Sequence, residues 1–305
     1  MKFLVYSSVN IDVILKVDHI VHPGETQSSL GFSIGAGGKG ANQSAALAKA
    51  MGTSSCPCSN QVFLAGKCAD DANFILEKLN SFGVNTSFMQ PSSCGTGKAF
   101  IQVDKAGQNS IVIYGGGNQC IEKDEIDKVL ATFTENDVLF LNCEINNLGY
   151  IVDQAFKKGM KIIVNPSPIN CAIEEIDFSK VSAMIVNEVE GSLLSGLKSE
   201  AWEAILEALS KKWPDCEIVM TVGEQGAYYS FKGQLIKVPA VKTKVVDTTA
   251  AGDTFMGYFF SSRFNGQFNG LSAEASLKLA SQASALTVSR PGAMDSIPFR
   301  DEVLG

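Results

Sequence analysis

Apolar residues along the chain fall in short runs, with polar and mixed stretches of helical length between them. The opening run, Lys2 to Tyr6 (KFLVY), reads as a buried strand. Val62–Ala65, Val138–Leu141, Ile162–Val164, Ala183–Val186 and Ile218–Thr221 suit further buried strands. Between most of them lie helical patterns, among them Asp71–Phe82, Leu148–Lys158 and Glu200–Lys212. Strands alternating with helices of that length predict an α/β fold built on a mostly parallel sheet. Gly37-Gly38-Lys39-Gly40 leads into the small-residue segment Ala41 to Met51, which has good helix propensity.

Two stretches break this rhythm, residues 12–34 and 86–114. The first is interrupted by the turn His22-Pro23-Gly24, and the second contains two β-rich segments, Lys98–Val103 and Ser110–Tyr114, around Ala106-Gly107. Both predict a small β-sheet outside the α/β body. Such a sheet cannot close its own core and is expected to pack on the body or on a second copy of the chain. The whole chain, 1–305, then reads as one unit carrying two lid segments. Residues 53–60 (TSSCPCSN) form a loop by composition.

Composition narrows the function. The net charge is −7 and only three basic residues are arginines (Arg263, Arg290, Arg300), so no clustered cationic face is available to track a phosphate backbone, and no nucleic-acid partner is expected. No apolar run approaches the ~18 residues of a spanning helix, so no membrane partner is expected. Asn10 and Asp12 interrupt the first apolar segment and no small-residue cleavage site follows, so a secretory signal is not expected. The eight cysteines include no CxxC pair, Cys56-Pro57-Cys58 has the wrong spacing for a zinc knuckle, and His19 and His22 are the only histidines. A cytoplasmic protein with reduced thiols is the expectation.

Gly35-Ala36-Gly37-Gly38-Lys39-Gly40 satisfies GxGxxG, but no Asp or Glu occurs between Gly40 and Asp70 to hold a ribose, and Gly40 stands where a P-loop needs Ser or Thr. What remains is a glycine-rich turn at a helix start. It is either a packing device or a close approach to a polar ligand, with Lys39 and Asn42 as hydrogen-bonding groups. Asp247-Thr248-Thr249-Ala250-Ala251-Gly252-Asp253-Thr254-Phe255 begins as a turn and runs into an apolar helix. Asp253 there is either an N-cap or a carboxylate beside bare amides of Ala250, Ala251 and Gly252, which would hold a transferring phosphoryl group while Asp253 orients an attacking hydroxyl. Asn187-x-x-Glu190 is either a capping-box variant or a pair of oxygen ligands near a hydrated Mg²⁺. Thr221–Gly226, Glu144, Asn10 and Asp12 all follow predicted strands, at the sheet edge where open α/β sheets bind ligands.

Together these residues resemble the ribokinase-like (PfkB) carbohydrate kinases, over essentially the whole chain and in order. The resemblance rests on Ser8-Val9-Asn10-Ile11-Asp12, Gly37-Gly38-Lys39-Gly40-Ala41-Asn42-Gln43, Glu144, Asn187-x-x-Glu190, Thr221–Gly226, Asp247–Phe255 and Arg290-Pro291-Gly292-Ala293. It implies a central, mostly parallel sheet with helices on both faces, and a β lid that doubles as a homodimer clasp. It also implies ATP-dependent phosphorylation of the ribose 5-hydroxyl, with Mg²⁺ accompanying ATP. By position, Asn10, Asp12, Gly38, Lys39, Gly40, Ala41, Asn42 and Glu144 would hold the sugar. Asp253 would be the base, with Ala250, Ala251 and Gly252 as the anion hole. Asn187, Thr221, Val222, Gly223, Glu224, Gln225, Gly226, Gly252 and Ser281 would hold ATP, and Glu190 would serve the divalent ion. Asp247, Thr249, Thr287, Arg290, Gly292 and Ser296 would form a monovalent-cation loop suited to K⁺. The chain departs from the family's usual pattern at Ser7, Pro291 and Ser281. Alternatives are a family member for another pentose, a ketohexose or a nucleoside, and an idle sugar-binding protein on the same scaffold.

Overall fold

The computed structural model describes residues 1–52, 61–264 and 270–305; the cysteine-bearing loop 53–60 lies outside the described residues. Its strands are β1 (Lys2–Tyr6), β2 (Asn10–Lys16), β3 (Gly31–Gly37), β4 (Gln61–Cys68), β5 (Val84–Pro91), β6 (Gly97–Val103) and β7 (Asn109–Tyr114). They continue as β8 (Val138–Asn142), β9 (Lys161–Asn165), β10 (Ala183–Asn187), β11 (Glu217–Val222), β12 (Gly226–Phe231) and β13 (Gln234–Val238). The helices are α1 (Lys39–Met51), α2 (Asn73–Ser81), α3 (Lys123–Leu130), α4 (Leu148–Lys157) and α5 (Glu188–Ser195). They end with α6 (Trp202–Lys212), α7 (Ala251–Phe264), α8 (Ala273–Val288) and α9 (Arg300–Leu304).

A nine-stranded sheet runs β13-β12-β11-β10-β9-β8-β1-β4-β5. It is parallel from β5 to β11, and β12 and β13 add an antiparallel edge. Successive side chains of β1 point to opposite faces, as the two-residue strand period requires. Phe3 and Val5 join one core with residues of α1, α7 and α8, while Leu4 and Tyr6 join the other with residues of α3, α4 and α6. Helices therefore cover both faces, which is why the central strands read as unbroken apolar runs.

The helix pair α1–α7 fixes the later chemistry. Gly257 of α7 sits so close to α1 that a Cβ there would lie 2.5 Å from the Cβ of Ala46. The small residues of α1, including buried Ala41, Ala45 and Ala46, are what allow that approach.

The second sheet has the order β3-β2-β6-β7. The two β-rich segments around Ala106-Gly107 pair as a hairpin, with Lys98 opposite Tyr114 and Val103 opposite Asn109. The boundary of the second lid segment needs correction: residues 86–91 belong to β5, which pairs in parallel with β4 in the large sheet. An edge strand has a half-exposed face, so its alternating pattern is the same as that of a lid strand. The thiol expectation is also corrected in one place, because Cys94 and Cys120 are joined by a disulfide, whereas Cys68, Cys143, Cys171 and Cys216 are free.

Candidate active site

A cleft of about 220 Å³ opens where β9, β10 and β11 end and α7 begins, lined by Lys39, Asn165, Asn187, Glu190, Thr221 and the Thr248–Asp253 turn among others. A wider, open depression of about 560 Å³ lies beside β5, but its lining of Gln61, Asn80 and 83–87 holds no ionisable side chain. The chemistry lies in the first.

Asp253 stands in the first turn of α7 and is only 8% exposed. Both of its oxygens are held: Gln43 Nε2 donates to Oδ1 at 3.0 Å and Asn42 Nδ2 donates to Oδ2 at 3.2 Å. Gln43 Nε2 is also 3.3 Å from Oδ1 of Asn165, at the end of β9. The carboxylate is thus aimed by two amides from α1, and the α1–α7 contact keeps donors and acceptor in reach. Asn42 has a further capacity: its Oδ1 is buried without a hydrogen-bond partner among the described residues, as is Oε1 of Gln43. Buried polar atoms are normally paired, so this is where a ligand hydroxyl fits.

Ahead of Asp253, Ala250 adopts a left-handed φ of 62°, a conformation that costs a non-glycine residue about 1–2 kcal/mol. The turn it makes was expected to leave the amides of Ala250, Ala251 and Gly252 bare. The amide of Ala251 is not bare, because it donates to the Thr248 carbonyl at 3.2 Å, closing the turn. The amides of Gly252 and Asp253 have no acceptor among the described residues, and a Cβ on Gly252 would meet nothing within 4 Å. An anion has both donors and space there, at the positive end of a helix.

The residues expected on the sugar come from three elements. Gly38 takes a φ of 92°, and a Cβ on it would lie 2.7 Å from the Asn10 nitrogen. A Cβ on Gly40 would lie 2.6 Å from Ser7 and Ser8 atoms, and one on Gly37 would overlap the Asp12 carboxylate. The glycine turn is therefore a packing device. Ala41 donates its amide to the Ser8 carbonyl at 3.1 Å. Glu144 accepts from Ser8 Oγ and, at 3.2 Å, from the amide of Lys39, tying the turn to the end of β8.

Asp12 has its pKa raised to about 6, first by burial and then by the negative charge of Glu144. Burial penalises the ammonium of Lys39, but Asp253, Glu144 and Glu190 together outweigh that penalty and leave its pKa raised. Lys39 remains a cation among three carboxylates. Asn10, expected on the sugar, has its Oδ1 taken by Asn118 Nδ2 at 2.7 Å, and Asn118 also accepts from the Val9 amide at 3.1 Å. Asn118 was not foreseen; the signal was Gly115-Gly116-Gly117-Asn118, a glycine run ending in an amide.

On the other side of the cleft, the capping-box reading of Asn187-x-x-Glu190 is directly seen. Asn187 Oδ1 accepts from the Glu190 amide at 2.8 Å, and Glu190 Oε2 accepts from the Asn187 amide at 3.0 Å. Both residues also line the cleft, so one motif starts α5 and presents a carboxylate. A single carboxylate beside phosphates suits Mg²⁺, which keeps several waters, so these residues fit that ion. Thr221 lines the cleft and Val222 is buried. Gly223, Glu224 and Gln225 form a short 3-10 turn, with Gln225 accepting from Trp202 Nε1 at 3.0 Å. Gly226 has a φ of 103° and packs against the Val238 carbonyl. Ser281 is buried in α8, one turn before Ser284, whose hydroxyl donates to the Ala251 carbonyl at 3.2 Å.

The two loops expected to surround a monovalent cation do meet. Asp247 Oδ1 accepts from the Thr249 amide at 2.9 Å and its hydroxyl at 2.6 Å, and Oδ2 accepts from the Gly292 amide at 2.9 Å. Thr287 Oγ1 bonds Thr254 Oγ1 at 3.0 Å, Ser296 Oγ donates to the Ala293 carbonyl at 2.7 Å, and Arg290 pairs with Glu302 at 2.7 Å. Asp247 is thus a brace between the loops, immediately upstream of the anion turn.

Residues 2–300 match the model of the pfkB family carbohydrate kinases. A ribokinase of Staphylococcus aureus is 32% identical, the match covering 99% of this chain and 98% of the relative. A deoxyribokinase of Salmonella typhi is 30% identical, covering 98% of this chain and 96% of the relative. The structure of Arabidopsis thaliana ribokinase complexed with ribose and ATP superposes with a TM-score of 0.84 at 28% identity, covering 99% of this chain and 97% of that one. The chain belongs to the pfkB family of carbohydrate kinases.

Proposed function

We propose that the protein transfers the γ-phosphoryl group of ATP to the 5-hydroxyl of ribose. The observation that carries this reading is the doubly held Asp253 beside the open amides of Gly252 and Asp253 at the start of α7. Ribose enters between Asp12, Asn42 and the glycine turn, with its 5-hydroxyl directed at Asp253. Asp253 takes the hydroxyl proton as the sugar oxygen bonds the γ-phosphorus, and the bond from that phosphorus to the β,γ-bridging oxygen breaks, leaving ADP. Lys39 and the α7 amides stabilise the charge on the transferring group, which matters more than base strength in a loose phosphoryl transition state. Asn187 and the Thr221–Gly226 segment border the nucleotide. Glu190 would hold Mg²⁺ through its waters; bound with ATP, the ion neutralises phosphate charge.

Three finer readings follow. K⁺ in the loops braced by Asp247 would stiffen the anion turn. The lid carries exposed Phe32, Ile34, Phe100 and Val112 on one side of its sheet, an apolar face that suits a homodimer. Dependence on ATP fits a cytoplasmic location, and no helix among the described residues is long and apolar enough to cross a membrane.

The relative named deoxyribokinase supports a second reading, in which 2-deoxyribose is the preferred acceptor. An ADP-release assay across ribose, 2-deoxyribose, fructose, adenosine and uridine separates the two. Ribose giving the highest kcat/KM is the expected result; preference for any other acceptor overturns the assignment of ribose.

A further inference from the structure

The two histidines, unused by the kinase site, meet a carboxylate on the lid. They lie in the loop between β2 and β3, where Pro23-Gly24 makes a tight turn. The amide of Glu25 donates to the His22 carbonyl at 3.1 Å, and Gly24 takes the φ of 83° that such a turn needs at its third position. The turn returns Glu25 toward His22, whose amide donates to Glu25 Oε2 at 3.0 Å. The other oxygen, Oε1, lies 2.8 Å from His19 Nε2. The ligating atoms of His19, His22 and Glu25 all lie within 4.8 Å of one another.

The surrounding loop is held by groups other than the two rings. Gln27 donates to the His19 carbonyl at 2.7 Å and accepts from the Asp18 amide at 3.3 Å. Gln102 of β6 accepts from the Val21 amide at 3.0 Å, and Lys105 pairs with Asp18. Asp18 in turn places Oδ2 at 3.5 Å from His19 Nδ1, behind the nitrogen that faces away from Glu25. A carboxylate behind the imidazole is what fixes the tautomer and ring direction of a metal-bound histidine. A hydrogen bond from His19 to Glu25 accounts for those two residues alone; it leaves the His22 ring, 5.5 Å from that of His19, without a role.

We propose that His19, His22 and Glu25 bind one divalent transition-metal ion of the zinc type, with water completing its shell. Two imidazoles and one carboxylate favour such an ion over Mg²⁺ or Ca²⁺, which take oxygen ligands. The ion cross-links the loop joining β2, which carries Asp12, to β3, which runs into the glycine turn. It stiffens the lid without touching the cleft.

The test is calorimetric titration of the chelator-treated full-length protein with ZnCl₂, in excess MgCl₂ to fill the nucleotide-side carboxylates. One zinc per chain is expected, and X-ray absorption of the zinc-loaded protein should report two imidazoles. His22→Ala and Glu25→Gln should each weaken binding by at least ~10–100-fold, the range for disturbing a metal site's supporting shell. Both variants should phosphorylate sugar at the wild-type rate in metal-stripped buffer supplied with Mg²⁺. No zinc uptake, or uptake unchanged in a His19→Ala/His22→Ala double variant, overturns the site. Uptake that is lost only when the thiols are alkylated assigns the ion to cysteines and overturns it as well.

Discussion

Gln43 donates to Oδ1 of Asp253 across 3.0 Å, from a helix that precedes it by 210 residues. With Asn42 on the other oxygen, the carboxylate has one orientation available, and a base that must meet a single hydroxyl benefits from that restriction. Through this bond Gln43 acts as a positioning residue for Asp253. Gln43→Ala should lower kcat by about 10–10²-fold, the scale of an ångström-sized misplacement, while the ribose KM stays within a few-fold. Gln43→Glu should be worse, since its charge repels Asp253. Steady-state kinetics check both; a rise in KM with kcat intact would make Gln43 a sugar ligand instead.

Asp12 should couple sugar binding to pH. Its pKa of about 6 means that the acceptor is lost as pH falls through 6, so ribose affinity should drop between pH 7 and 5. Asp12→Asn should bind more weakly and flatten that profile. Stability moves the other way. A carboxyl whose pKa is raised above its unfolded value of 3.8 contributes stability that is present below pH 3.8 and lost as pH rises through about 6. At pH 7.5 Asp12→Asn should therefore stabilise the protein by about 1–2 kcal/mol, allowing for residual solvent contact. Calorimetry of ribose binding and thermal melts at two pH values measure both effects.

The crossing at Gly257 should be intolerant. A leucine there overpacks the contact with Ala46, at a cost of about 1–3 kcal/mol, and separates Asp253 from Asn42 and Gln43. Gly257→Leu should lower the melting temperature and reduce kcat together. A stable variant with normal kcat would show that the α1–α7 distance does not set the carboxylate.

Potassium should act through the brace. At fixed ionic strength, K⁺ is expected to raise activity well above Na⁺, and Asp247→Ala should remove the difference. Equal rates in the two salts with the native chain would leave Asp247 as a structural brace alone.

What was legible in the sequence is what local order encodes. The buried strands β1, β8, β9, β10 and β11 announce themselves as apolar runs, and the turns at Gly38 and Ala250 as glycine-rich or small-residue segments before helices. Long-range pairings were not legible. Asn118 is 108 residues from Asn10, and Gln43 is 122 from Asn165, so nothing in either neighbourhood names the partner. The disulfide joins cysteines 26 residues apart with no spacing motif. β5 was misplaced because an edge strand and a lid strand share one alternating pattern.

The central claim is that Asp253 removes the proton from the attacking hydroxyl, and Asp253→Asn tests it most directly. The amide keeps the shape and loses the base, so kcat should fall by about 10²–10⁴ while ribose affinity, measured by calorimetry, stays within a few-fold. A variant that turns over at close to the native rate would contradict the account.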